Sequence, residues 1–123
     1  MTSEELKIKA SRMQEFLEKK PDDQEEGLIT RLELLQVLLA QSGNCLAEAK
    51  YLLDITKNNV IEQTLEDAEK HDWSITIIHK KIDAMCRNES FLVNKFDRIN
   101  SSAGKQIQAL ITIISYRKEQ MRL

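Results

Sequence analysis

The apolar residues of this chain recur at helical spacing along almost its whole length. In the first segment Leu6, Ala10, Met13 and Leu17 follow each other at alternating steps of four and three, with Phe16 beside them. That spacing lines one side of a 3.6-residue helix. Thr2 followed by Glu5 matches a capping box, in which hydroxyl and carboxylate each satisfy an orphaned backbone N–H, so a helix is predicted over about 3–20. Lys19-Lys20-Pro21 closes it, because a residue before proline is pushed out of the α region and the lysines complement the negative end of the helix dipole. Residues 21–27 (PDDQEEG) read as a loop, inside which Asp23 and Glu26 already form a capping pattern.

From Leu28 the series Leu28, Leu32, Leu35, Leu39, Leu46, Ala49, Leu53 and Val60 keeps heptad spacing, with Leu38, Cys45 and Leu52 every seven residues on a flanking line. Ser42-Gly43-Asn44 interrupts it. A glycine inside a helix costs roughly 1 kcal/mol relative to alanine, which the packing of so many leucines offsets, so one continuous helix is predicted over about 28–69. Ala40, Gly43 and Ala47 would let another backbone approach that helix closely. Residues 70–74 form a junction, with Asp72 or Ser74 as the next N-cap and Trp73 packing the corner.

The third segment, about 75–121, has the most regular pattern: Ile75, Ile78, Ile82, Met85, Leu92, Phe96, Ile99 and Ala103, with Glu89 in the one polar slot. After Ala103 the line slips by one residue to Ile107, Leu110 and Ile114, as at a stutter in a coiled coil. The slip coincides with Ser101-Ser102-Ala103-Gly104, so the segment is either one helix or two bent near 101–104.

These elements predict an all-α fold, a single domain of long amphipathic helices in an elongated helical bundle or coiled coil. A globule of this length has a radius of gyration near ~14 Å, and helices of roughly 60–70 Å do not fit inside one. Ile77, Phe91, Val93, Ile111 and Ile113 widen the third stripe beyond what one antiparallel partner covers. Self-association is therefore expected, with a seam at Ile75, Ile78, Ile82, Met85, Leu92, Phe96, Ile99, Ile107, Leu110 and Ile114.

Composition agrees: 41% apolar and 31% charged residues suit a folded chain, and three glycines with one proline leave few turn positions for a β-rich fold. The net charge of −2 conceals an asymmetry, since residues 1–70 carry a net −6 and residues 71–123 a net +4. Either the two parts face each other, or the basic part meets an anionic ligand, nucleic acid or nucleotide, through Lys80, Lys81, Arg87, Lys95, Arg98, Lys105, Arg117 and Lys118. Along the chain these residues are interleaved with Asp83, Glu89, Asp97 and Glu119, and Tyr116 is the only tyrosine near them for base stacking. That interleaving favours internal charge pairing.

Few residues suggest chemistry. His79, Asp83 and Cys86 share one face of a helix and could ligate a transition metal, but Asp83 also has Arg87 four residues on for an ion pair and Cys86 borders the apolar stripe. Glu62, Glu66 and Glu69 lack histidine partners and read as a solvated face. Ala103-Gly104-Lys105 lacks the upstream glycine and the following Ser or Thr of a phosphate loop. No HExxH or GxSxG occurs, so neither enzymatic activity nor a cofactor is expected. No stretch reaches the ~18 apolar residues of a membrane span, and the acidic start Met1-Thr2-Ser3-Glu4-Glu5 does not resemble a signal peptide. A cytoplasmic location, with Cys45 and Cys86 as buried thiols, is the expectation.

The stretches Lys81–Cys86, Leu92–Lys95, Asp97–Asn100 and Ile114–Glu119 resemble small all-helical proteins of uncharacterised function encoded by bacteriophages and related mobile elements. The resemblance covers under half of the chain. It implies a bacterial or viral setting and action by binding, for instance to a host or defence protein, and no mechanism. Two functions follow: a homo-oligomeric interaction module that also engages a protein partner, or a binder of an anionic ligand.

Overall fold

The computed structural model describes residues 1–122 and is all-α among them, with four helices: α1 (Ser3–Glu18), α2 (Glu25–His71), α3 (Ile75–Met85) and α4 (Arg87–Arg122). Thr2 caps α1, its hydroxyl accepting from the Glu5 N–H at 3.2 Å. The linker, residues 19–24, lies earlier than the expected 21–27, because α1 ends at Glu18 and α2 starts at Glu25, with Gln24 rather than Asp23 as its N-cap. Asp22 instead accepts from the Gln24 N–H at 3.2 Å, and its main chain folds over Gly27 so closely that an added Cβ there would lie 2.6 Å from the Asp22 Cβ. Only glycine fits that approach.

α2 runs unbroken through Gly43 for 47 residues, about 70 Å at 1.5 Å per residue. It ends at Asp72, whose left-handed φ of 52° reverses the chain in the manner of a helix C-cap. The hydroxyl of Ser74 then caps α3, accepting from the Ile77 N–H at 3.4 Å. Trp73 fills the corner, its ring stacked on His71 at 5.5 Å and the Lys81 ammonium 5.4 Å from the ring centre.

The third segment breaks at Cys86, not near Gly104, through which α4 passes as regular helix. The apolar line explains the place. It passes from Ile78 and Ile82 to Cys86, which is 1% exposed, while Met85 is left 50% exposed. With Glu89 in the next inward slot, the helix must turn about its axis before Leu92 and Phe96 face α2. The slip after Ala103 needs no break, because Ile99, Ala103, Ile107 and Leu110 are all buried on one unbroken helix. The expected ion pair between Asp83 and Arg87 is not among those the described residues form, since the break parts the turn that would carry it.

α4 packs along α2, α1 lies against both, and α3 packs mainly on the far end of α2. The core joins Leu6, Ala10, Met13 and Leu17 of α1, Leu28, Leu35, Leu38, Cys45 and Ala49 of α2, and Leu92, Phe96, Ile99, Ala103, Ile107 and Leu110 of α4. Each large side chain so buried contributes roughly 1.5–3 kcal/mol. Register between α2 and α4 is pinned by Ser42, fully buried, whose hydroxyl lies 2.9 Å from Asn100 Oδ1 and 3.0 Å from the Leu39 carbonyl. At one end Arg117 donates to the Asp23 carboxylate and carbonyl, each at 2.7 Å.

Candidate functional site

Three places bear on function: the predicted seam, the basic residues of α3 and α4, and the polar group that closes α1. Of the seam, Leu92, Phe96, Ile99, Ile107 and Leu110 lie inside the chain's own core, and Ile114 is half-buried against it. Ile78 and Ile82 are also half-buried, while Ile75 is 74% exposed. The α4 stripe is thus covered by α2 and α1 of the same chain rather than offered to another. Periodicity marks a stripe that must be covered; it does not say which chain covers it.

The apolar surface left over lies elsewhere. On α2, Leu32, Leu39 and Leu46 are spaced by sevens, and on α4 Val93 lies eighteen residues before Ile111, so each set shares a face. All but Ile111 pack half-buried against the core, and Ile111 is exposed. This flank is turned away from α1, which meets α2 instead at Lys9, Arg12, Met13, Gln41, Asn44 and Cys45, around a cleft of about 400 Å³. Gly43 and Gly104 sit beside the leucine line with open space where a Cβ would be, and Ala40 and Ala47 are exposed. Among the described residues no other helix makes the close approach that Gly43 and Gly104 permit.

The basic residues do not form one cluster. Lys80 and Lys81 belong to α3, Arg117 is held by Asp23, and Lys118 lies on another side of α4. Arg87, Arg98 and Lys105 do align. With Phe91, Asn94, Ser101, Gln108, Thr112 and Tyr116 they recur at steps of three and four on the side of α4 opposite its buried stripe, and all are exposed. Lys95 borders this face, and Phe91, Asn94, Lys95 and Arg98 line a shallow recess of about 130 Å³. Asp97 borders this face on the edge opposite Lys95, each about a quarter-turn from its centre, and Glu89 faces inward.

Arg31 is a site residue the sequence did not announce. It is 7% exposed, donates from Nη2 to Gln106 Oε1 at 3.0 Å and to the Leu17 carbonyl at 3.4 Å, and lies 4.1 Å over the Phe16 ring. Gln106 Nε2 also donates to the Leu17 carbonyl, at 3.0 Å. Two side chains from two helices thus satisfy a carbonyl in the last turn of α1, where no backbone partner exists. Burial pulls the Arg31 pKa below its ordinary value, and among the described residues its Nε–H has no acceptor. A charge at that place in the middle of a leucine series was the only available signal.

For chemistry the arrangement offers little. Cys86 is turned inward while His79 and Asp83 face solvent, and no group of three or more His, Cys, Asp or Glu among the described residues is placed to hold a metal ion. Burial pushes both thiols up: Cys45 between the opposing influences of Lys9 and Glu48, Cys86 with Glu89 adding to the rise. Among the described residues no helix is long and apolar enough to cross a membrane. No protein-family model, no curated protein and no solved structure matches this chain.

Proposed function

We propose that the protein is a non-enzymatic helical interaction module that pairs with a second copy of itself through the flank of α2 and α4 turned away from α1. The observation that carries this is the half-covered line of Leu32, Leu39, Leu46 and Val93, with exposed Ile111, beside open Gly43 and Gly104. α1, α2 and α4 supply three helices of a bundle, and one groove of it is left open. The same groove on a second copy, related by a two-fold axis, is self-complementary by symmetry. Small residues let helix axes approach to about 8 Å, where the leucines of each copy would interdigitate. The stretches between Lys81 and Glu119 that resemble small phage proteins of uncharacterised function imply the same class of function by analogy and leave any further protein partner unspecified.

The test uses the open space at Gly43. Gly43→Leu adds a side chain whose Cβ meets nothing within the monomer and removes a helix-interior glycine worth roughly 1 kcal/mol. By sedimentation velocity at low micromolar concentration, the wild type should be a dimer and this variant a monomer of unchanged or higher helicity. A wild-type monomer whose mass is independent of concentration would overturn the reading, as would a variant that dimerises as well as the wild type.

A further inference from the structure

We infer that the outward face of α4 is a binding surface for single-stranded nucleic acid, with Arg87, Lys95, Arg98 and Lys105 on the phosphates and Phe91 as a stacking platform. Three observations converge on that ligand. Among the described residues none of the four cations is engaged in an ion pair, and between Arg87 and Tyr116 the one exposed carboxylate bordering the face, Asp97, lies on the edge opposite Lys95. From Arg87 to Lys105 the cations extend along about 27 Å of one helix, a line suited to an extended backbone rather than to a single small anion. Phe91, 62% exposed on a helix whose other large apolar residues are mostly covered, projects its ring among Asn94, Lys95 and Arg98.

Base stacking on an exposed ring is available to unpaired bases and denied to those stacked within a duplex, which selects the single strand. Asn94 adds an amide that both donates and accepts, within reach of a base edge beside the ring. A protein partner is the poorer match, because between Arg87 and Tyr116 this face offers only Phe91 and Ala109 as apolar contacts, with Ile113 on the Lys95 edge. The surface lies away from the leucine flank of α2 and α4, so it is available whether or not two copies pair.

The experiment is fluorescence anisotropy with a labelled oligothymidylate of about 20 nucleotides, titrated with full-length protein between about 50 and 200 mM salt. Micromolar binding is expected, with log K falling against log salt at a slope of about −3, from about 0.7 per phosphate contacted. Arg98→Gln with Lys105→Gln should flatten that slope by about 1.4. Phe91→Ala should weaken binding about tenfold at an unchanged slope, which separates stacking from charge. Circular dichroism identical to the wild type shows that each variant is folded, as expected for exposed positions, and Gly43→Leu protein should bind as the wild type does. No binding at about 50 mM salt, binding untouched by these substitutions, or equal affinity for a duplex or heparin with no effect of Phe91→Ala would each overturn the inference.

Discussion

The two ends of the molecule are built differently, although one helix runs through both. At the end where α1 is present, three helices surround Phe96, Leu6, Leu35 and Ile99, each fully buried. Beyond about residue 52 only the rest of α2, α3 and the start of α4 remain, and the residues buried there are Val60, Thr64, Ala68 and Cys86. α3 is strongly amphipathic and yet buries none of its residues fully. Two helices in contact share one line, so large side chains placed on it keep an exposed flank and only small ones disappear from solvent. A third helix turns the same apolar stripe into a core. The body should therefore carry most of the global stability, and the stem should open at lower free energy.

The largest effect should come from attacking the body. Phe96→Asp places an unpaired charge where the side chain has no exposure, and should cost on the order of 4 kcal/mol, lowering helicity and the melting temperature together. Unchanged circular dichroism and melting would mean that Phe96 does not anchor the core. Next is Arg31→Ala, which leaves Gln106 alone on the Leu17 carbonyl and uncovers the Phe16 ring. A loss of about 2 kcal/mol is expected. It should lower the circular-dichroism midpoint while shifting the fluorescence transition of Trp73, which stands at the tip of the stem, by less. Equal shifts would show one cooperative unit and erase the distinction between the ends.

The smallest effect uses the two thiols as internal probes. Cys45 lies in the body and Cys86 in the stem, both fully covered and both with pKa values raised by burial. Each stays protonated and covered in the native state near neutral pH, so labelling by a thiol-specific reagent reports opening. Cys86 should react at least about tenfold faster than Cys45, as read by peptide mass spectrometry. Because the folded pKa values are raised, the neutral thiols add stability below the ordinary thiol pKa, and that contribution is lost as pH rises through the folded values. The rates should be compared below that range.

The helices were legible because periodicity and caps are local. Thr2, Lys19, Asp72 and Ser74 mark the ends of elements through side-chain and backbone geometry that a few neighbouring residues determine. The break at Cys86 was not legible. It arises because α3 and α4 must both face α2 while their apolar lines are out of phase, and no Gly, Pro or turn signal marks the place. The role of Arg31 depends on Leu17 and Gln106, which lie 14 and 75 residues away. Five of the seam residues, Leu92, Phe96, Ile99, Ile107 and Leu110, lie in the chain's own core for a related reason: α1 and α2 close over α4, and a helix pattern carries no address for its cover. For the basic residues the order along the chain is also an incomplete guide, since charges that alternate in sequence take different positions around a helix: Arg117 pairs with Asp23, while Arg87, Arg98 and Lys105 line the outward side of α4.

The unbroken α2 makes the molecule a lever as well as a scaffold. Its backbone passes from body to stem through no glycine-rich hinge and no proline, and its one glycine beyond the first turn is held in regular helix. A load or ligand taken up at the tip around Trp73 cannot be absorbed by bending at a preset joint. It must be met by melting α3 away from α2, or be delivered as a tilt of the whole rod to the leucine flank about 40 Å away at helical rise.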